Sequence, residues 1–587
     1  MLCLSSLIVP LVFSSITFAQ LALPSPPWTP PNATFGATTQ PSTGSANPHW
    51  STLLGDLLYF YEEQRSGKLP STNRVSWRND SATSDGDDVG LDLTGGYYDA
   101  GDYIKYTFPM SYSVMSICWG ALDYGKAYEL ANQTAYLDDM IRWSMDWLIK
   151  AHPEPNTLYV QIGEADLDNA YWGGDRGIPG PRTSYAINST SPGTDAAAQA
   201  SAAFSACSAL YSNRTLSSTS TNALANASYA HTLLQHAQQL YAFATNSSIT
   251  QQTYQTAVPQ VGDAYASSDY GDDVAIAGLF LALAGNSSDA YNQAAQTYKK
   301  QGLVGRLQGG TVFNWDEKTP GVVVLGAQLA KAYPDLTQGT QMNWTADAVT
   351  FCDNIVNGSS RASLTSGGLL YYPGDSDDAS LNPALNAAML LKRFADTGAI
   401  SSDKQASYRQ FAQSQVDYVM GNNPMTVPYV VGIHPNAPSN PHSALSTGAA
   451  PKDIANIDTV PLHEAYVLYG GVVGGPDKND RFWDLRSDWV QSEVGLDYVA
   501  PLVTLAAQSL VNGTGDPFYT TLDVGSYEQR RPGGEPCDAA ISAGCPTGRK
   551  WRVGRIVMAS IISAVGVVVV GLLLYWVYVE IRSRGRF

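Results

Sequence analysis

Between Trp50 and Val511 the apolar residues recur at a helical period, and sustained apolar/polar alternation of strand type is scarce. Thr194 to Tyr211 (TDAAAQASAAFSACSALY), Val274 to Ala284, Val322 to Tyr333, Pro383 to Phe394, Tyr408 to Met420 and Asp488 to Val511 all carry it. Clusters of Gly, Pro, Asn and Asp punctuate these runs. The pattern predicts an all-α block of about a dozen helices, with long loops carrying Trp, Tyr and acidic residues. Loops held on a rigid helical frame are where chemistry is expected.

The flanks read differently. Leu7 to Phe13 is an apolar run that ends in small residues near Ala19 and lacks a basic leader, and residues 1–19 are expected to be a signal peptide. Residues 20–48 are rich in Pro, Ser and Thr and are expected to form a flexible arm. Ile556 to Val579 is uncharged over 24 residues. As a helix it would be about 36 Å long, enough to span a bilayer core. Tyr575, Trp576 and Tyr578 suit an interfacial belt. The expectation is a single transmembrane helix at 555–579, a juxtamembrane spacer at 513–554 and a cytosolic tail at 580–587. Basic residues flank the run on both sides, so the orientation rests on the signal peptide, which commits the large block to translocation.

Eleven Asn-x-Ser/Thr sequons fit a secretory route: Asn32, Asn79, Asn132, Asn188, Asn213, Asn226, Asn246, Asn286, Asn343, Asn357 and Asn512. Of six cysteines, Cys537 and Cys545 are expected to pair in a disulfide just outside the membrane. Cys118, Cys207 and Cys352 lie in apolar patterns and read as buried thiols. The net charge of −18 argues against nucleic acid as a partner.

The stretch GGYYDAGDYIKY, Gly95 to Tyr106, places Asp99 and Asp102 three apart among aromatic rings. Two readings stand. One is a solvated or calcium-binding acidic loop. In the other, both carboxylates act on one water, one orienting it and one taking its proton as a general base. Tyr97, Tyr98 and Tyr103 are open between sugar stacking and packing. Glu493 lies between Trp489 and Tyr498 at the start of an apolar helix; it is either a capping acid or a carboxyl kept protonated by an apolar pocket. His442 is one of seven histidines and sits in a loop. No zinc spacing, phosphate-binding glycine loop or Gly-x-Ser-x-Gly elbow is present. Acid–base chemistry by carboxylates remains.

The runs 61–70 (YEEQRSGKLP), 74–78 (RVSWR), 92–102 (DLTGGYYDAGD), 159–163 (YVQIG), 315–318 (WDEK), 367–369 (GGL) and 417–424 (DYVMGNNP) occur in order. Together they resemble glycoside hydrolase family nine, the endoglucanase-type cellulases, over residues 49–512. The resemblance implies an (α/α)6 toroid of six helical hairpins and hydrolysis of β-1,4-glucan with inversion. It implies Asp102 as the catalytic base, Asp99 as its partner on the water and Glu493 as the general acid, with Asp484 and His442 on the remaining active-site signature positions. Trp172 and Tyr498 would contact the sugar. Inversion requires the acid and base to stand about 6.5–9.5 Å apart, so that water fits opposite the leaving group.

The chain departs from the pattern at Ala444 and Asn382, where arginines are common, and at Asn169, Gly495 and Val499. The resemblance also offers a structural calcium on Ser268, Asp269, Asp272, Asp273 and Asp316, with no cofactor needed for the chemistry. The resulting expectation is an endo-β-1,4-glucanase displayed at the outer face of the plasma membrane. The alternatives are a displayed glucan-binding protein with little catalysis, or a related inverting glycosidase acting on another β-glucan.

Overall fold

The computed structural model describes residues 20–38 and 46–545, apart from 309, 339, 341, 359, 360 and 514. The expected signal peptide, transmembrane helix and cytosolic tail lie outside the described residues. Among the described residues no helix is long and apolar enough to cross a membrane.

Twelve helices of thirteen or more residues form the described frame. They are α1 (Pro48–Glu63), α2 (Thr107–Tyr124), α3 (Thr134–Ala151), α4 (Thr194–Tyr211), α5 (Ala227–Thr245), α6 (Gly271–Gly285), α7 (Ser288–Lys300), α8 (Thr319–Ala332), α9 (Trp344–Val356), α10 (Leu381–Asp396), α11 (Ser402–Val419) and α12 (Leu496–Val511). Local chemistry starts several of them. Asn47 accepts from the amides of His49 and Trp50 at 3.0 and 3.1 Å with Pro48 at the first helical position, and Ser287 caps α7 through Ala290 N.

The even-numbered helices pack on one another in sequence, α2 on α4, α4 on α6, α6 on α8, α8 on α10 and α10 on α12, and α12 returns to α2. That closes an inner ring. The outer helices α5, α7, α9 and α11 each back onto the inner helix that precedes or follows them, and α1 lies on α12. Composition sorts the two layers. Every residue of α2 and α4 is buried, and α6 (GDDVAIAGLFLALAG) is apolar almost all round, as a helix enclosed on all sides must be. By contrast α7 (SDAYNQAAQTYKK) buries only Ala290, Tyr291, Ala294, Ala295 and Tyr298, a single stripe. Small residues let the layers close up. A Cβ on Gly278 of α6 would sit 2.9 Å from the Ala294 methyl of α7.

Two readings of the sequence change. Cys118 on α2 and Cys207 on α4 form a disulfide with a Cα–Cα distance of 5.1 Å; among the described residues only Cys352 is a buried thiol. The helical pattern signalled their burial but not their adjacency, because neighbours in the ring are 89 residues apart in the chain. The segment 20–37 is also more than a loose arm. Gln20 Nε2 and Leu21 N donate to Asp139 and Asp138, Trp28 N donates to Tyr136 Oη, all at 2.7 Å, and Gly55 of α1 lies under the Trp28 ring. The block likewise extends past residue 513: Trp50 Nε1 donates to Gly515 O at 2.8 Å and Tyr527 Oη to Phe482 O at 3.1 Å.

A second compact unit begins at Gly533. Its described part contains a disulfide between Cys537 and Cys545, with a Cα–Cα distance of 4.7 Å. Six of the eleven sequon asparagines are helix N-caps (Asn32, Asn226, Asn343) or left-handed turn residues (Asn132, Asn213, Asn286).

The loops at one end of the frame also carry a three-stranded antiparallel sheet of β1 (Lys105–Tyr106), β2 (Leu158–Ile162) and β3 (Ser184–Ile187). These strands are too short to leave an alternating signature. β1 pairs Lys105 with Ile162 and so anchors the end of the Gly95 to Tyr106 stretch.

Candidate active site

The stretch from Gly95 to Tyr106 turns through three left-handed glycines, Gly95, Gly96 and Gly101. At Gly101 a side chain is excluded twice over, because a Cβ would lie 2.6 Å from His442 O. That close approach ties the loop to the 442–444 segment, where Ala444 N donates to Gly101 O at 3.0 Å. Leu496 N at the start of α12 donates to Asp99 O at 3.2 Å. His442 N donates to Ser492 O at 2.8 Å, and Gly474 N to Glu493 O at 2.9 Å. Backbone bonds therefore gather Asp99, Asp102, His442 and Glu493 from three distant parts of the chain.

The tyrosines of the loop are packing residues. Tyr97 Oη donates to Met140 O at 2.9 Å, Tyr98 Oη to Ser81 Oγ at 2.8 Å and Tyr103 Oη to Gly173 O at 2.5 Å, and all three rings are buried. They stiffen the loop rather than offer a face to a sugar.

The carboxylates sit in different environments. Asp99 is buried, and burial followed by the neighbouring Asp102 pushes its carboxyl well above the usual range. Tyr265 Oη opposes that rise by donating to Asp99 Oδ2, while Oδ1 has no hydrogen-bond partner among the described residues. Asp102 is half-buried and raised to about 6 by burial, held in check by the amides of Ile104 and Ala100 and by Arg182. Glu493 is raised to about 8 by burial, then by Asp102 and Asp497. Tyr498 Oη lies 3.5 Å from Glu493 Oε2. The environments thus separate the groups, with Asp102 the readier anion and Glu493 the more persistent acid.

His442 Nδ1 contacts Arg486 O at 2.5 Å. A carbonyl only accepts, so Nδ1 carries the proton and Nε2 is the bare nitrogen of the neutral ring. Burial lowers the His442 pKa against the pull of that carbonyl. Trp172 packs against this ring at 4.9 Å and is only 6 % exposed, in a cluster with Tyr98, Tyr103, Ala444 and Leu445. It supports His442 and has little face left for a sugar. Asp484, a left-handed residue, accepts from Ser439 N and Asn440 N, both at 3.0 Å, and from Ser439 Oγ at 2.9 Å. It clamps the turn before His442 and contacts none of the cleft carboxylates in the described hydrogen-bond network.

Several participants carry no sequence signal. Asp168 is pushed to about 8 by burial and then by Asp102, and accepts from Tyr103 N at 3.1 Å. Asp497, the second residue of α12, is raised to about 7 by burial. Its partner is neutral: Asn382 Nδ2 donates to Asp497 Oδ2 at 3.0 Å, Asn386 Nδ2 to Asn382 Oδ1 at 2.8 Å and Tyr112 Oη to Asn386 Oδ1 at 2.7 Å. Tyr265 closes a one-turn helix, Gly262–Tyr265, in a Gly/Asp/Ser-rich stretch before the acidic start of α6, and no local pattern distinguishes it.

The residues expected to hold calcium do not fit a calcium cage. Asp269 is bonded to Arg306, Lys318 Nζ lies 2.7 Å from Asp273, and Ser268 offers its amide to Asp316 at 2.7 Å. No group of three or more His, Cys, Asp or Glu that could hold a metal ion occurs among the described residues. Calcium requires six to eight converging oxygens, and here protein cations take them.

Residues 50–506 match the glycosyl hydrolase family 9 model. Endoglucanase 13 of Arabidopsis thaliana is 33% identical over 480 residues, 79% of this chain and 94% of its own length. Endoglucanase A of Bacillus pumilus is 35% identical over 459 residues, and the match spans 78% of this chain but 65% of that longer protein. The endoglucanase of the termite Nasutitermes takasagoensis superposes with a TM-score of 0.68 at 35% identity, covering 78% of this chain and 99% of its own. The family match over most of the chain, the closed ring of six inner helices and the carboxylates gathered at one end agree: this chain belongs to glycosyl hydrolase family 9 and is a glycoside hydrolase.

Proposed function

We propose that this enzyme hydrolyses internal β-1,4-glucosidic bonds of cellulose-type glucans by a single inverting displacement. The observation that carries the reading is that backbone bonds bring the Asp102 loop and the Glu493 segment into one site, where burial raises Asp102 to about 6 and Glu493 to about 8. Between these values Asp102 is an anion and Glu493 still holds its proton, the pairing that a base and an acid need together. The site repels a second negative charge beside Asp102, so Asp99 is the member of the pair that retains a proton longer.

In the step proposed, Asp102 removes a proton from water as the water oxygen attacks the anomeric carbon. The bond from that carbon to the glycosidic oxygen breaks, and Glu493 delivers its proton to the departing oxygen. Asp99 orients the water, held through Oδ2 by Tyr265. Tyr498 lies beside Glu493 at the sugar to be cleaved. An endoglucanase of Clostridium thermocellum that superposes with a TM-score of 0.67 at 25% identity was crystallised with cellobiose and cellotriose, which favours a β-1,4-glucan here. The uncharged run Ile556 to Val579 and the eleven sequons support display of the domain at the outer face of the plasma membrane.

The test is Glu493→Gln and Asp102→Asn on carboxymethylcellulose. Wild-type release of reducing ends by both variants would overturn the assignment. Glucan binding by the wild type without any release would instead favour a displayed binding protein. Fractionation of cells at alkaline carbonate pH tests the anchor: recovery of the full chain in the soluble fraction removes it.

A further inference from the structure

Five acidic side chains, Asp269, Asp272, Asp273, Asp316 and Glu317, meet where the start of α6 faces the loop before α8. Two protein cations enter this cluster. Arg306, on the short helix Val304–Gln308, places Nη1 2.9 Å from Glu317 and 3.5 Å from Asp272, and its Nη2 bonds to Asp269. Lys318 is fully buried, 2.7 Å from Asp273, and its backbone amide donates to Asp272 Oδ2 at 2.5 Å.

The same cluster fixes the segment that reaches the active site. Ser268 N donates to Asp316 at 2.7 Å and Ser267 Oγ to Asp269 O at 2.6 Å. At the head of this segment Tyr265 donates to Asp99 Oδ2, and its ring packs edge-on against Trp315 at 4.9 Å and Tyr106 at 5.0 Å. Trp315 is the residue before Asp316, and its carbonyl accepts from Lys318 Nζ. A continuous set of contacts thus runs from the Arg306 guanidinium through Asp269 and the 265–269 turn to Asp99.

We infer that Arg306 is the cation around which this loop is folded, standing where the resembled family site would place a calcium ion, and that it is a positioning residue for Asp99 through Tyr265. A guanidinium suits the task, since its planar fork donates to several carboxylate oxygens at once and cannot be deprotonated. Being covalently part of the chain, it does not dissociate, so loop order is independent of any ion concentration. Without Arg306, Asp269, Asp272 and Glu317 would face one another with no cation among them except Lys318, which already serves Asp273. Their repulsion would spread the loop and withdraw Tyr265 from Asp99. The inference rests on the proposed role of Asp99.

The experiment uses the purified full-length protein. Melting temperature and kcat of the wild type are expected to be unchanged by EDTA and by added calcium chloride. Arg306→Gln is expected to lower kcat by about 10- to 100-fold, the cost of a small misplacement near reacting groups, with KM little changed. Arg306→Lys, which keeps the charge but not the fork, is expected to restore kcat only in part.

A wild type that melts lower after chelation and recovers with calcium would show that a metal holds the loop, and would overturn the inference. So would an Arg306→Gln protein that melts lower yet keeps its kcat, since the cluster would then be structural only. If Asp102→Asn and Glu493→Gln kept full activity in the same assay, the catalytic reading would fall instead, while the metal-insensitive melting would still be read on its own.

Discussion

The amide of Leu496 donates to the carbonyl of Asp99 at 3.2 Å. The first turn of α12, which follows Glu493 directly, is thereby joined to the loop that carries Asp99 and Asp102, although the two lie at opposite ends of the helical block. The Asp99 loop and the Glu493 segment are thus tied directly to each other as well as through the 442–444 segment.

The roles of the acid and the base are separable by the leaving group. Glu493→Gln is expected to lower kcat on cellulose-type glucan by about 10²- to 10⁴-fold, the usual worth of a positioned general acid. On an aryl cellobioside with an acidic phenol the loss is expected to be far smaller, because that leaving group needs no proton. Asp102→Asn is expected to impair both substrates alike. Parallel steady-state kinetics check this, and equal losses for Glu493→Gln on both substrates would contradict it.

The pH dependence follows from the two environments. kcat/KM is expected to rise as Asp102 ionises near 6 and to fall as Glu493 loses its proton near 8. Asp497 is one of the charges that raise Glu493. Asp497→Asn removes that repulsion, makes the Glu493 anion easier to form and should move the alkaline limb toward lower pH. An alkaline limb that stays in place would show that Asp497 does not act on the acid.

Stability should also depend on pH. Glu493 is raised from its ordinary value to about 8, and Asp497 and Asp195 to about 7, each chiefly by burial. The folded state therefore binds more protons than the unfolded one between the ordinary carboxylate range and these values, and stability declines as pH rises through that window. Calorimetry is expected to show a melting temperature that falls from about pH 5 to about pH 8, with a shallower slope in Asp497→Asn.

The Cys118–Cys207 bridge ties neighbouring inner helices across 89 residues. Replacing both cysteines by alanine is expected to cost about 2–5 kcal/mol of stability and to leave kcat near wild type, because the bridge is remote from the carboxylate loops. Denaturant unfolding of the double variant measures the first and the glucanase assay the second.

Much of the site was legible because its chemistry sits in short, compositionally odd loops. Asp99 and Asp102 stand among glycines and aromatics, and Glu493 is a lone glutamate at the head of an apolar helix. Tyr265, Asp497 and Arg306 were not legible. A tyrosine, a helical aspartate and an arginine in an ordinary amphipathic turn have no local feature that distinguishes them; their roles exist only through partners far away in the chain. Asp484 and Trp172 lie in motif positions, and their contacts are visible only in the fold: Asp484 clamps the turn before His442 and Trp172 packs against the His442 ring.

What the amino-acid order determined by itself was local: which segments are helices, where Asn47, Asn226 and Ser287 start them, and which glycines let the Asp99 loop turn. It also sorted inner from outer helices, because an all-apolar helix is stable only when enclosed. Tertiary structure decided what met what. Closing the ring brought α12 back to α2, placed Cys118 against Cys207, and laid the Glu493 segment on the Asp99 loop. Burial in that closed assembly, and no property of the isolated residues, set one carboxyl to ionise near 6 and held another protonated to about 8.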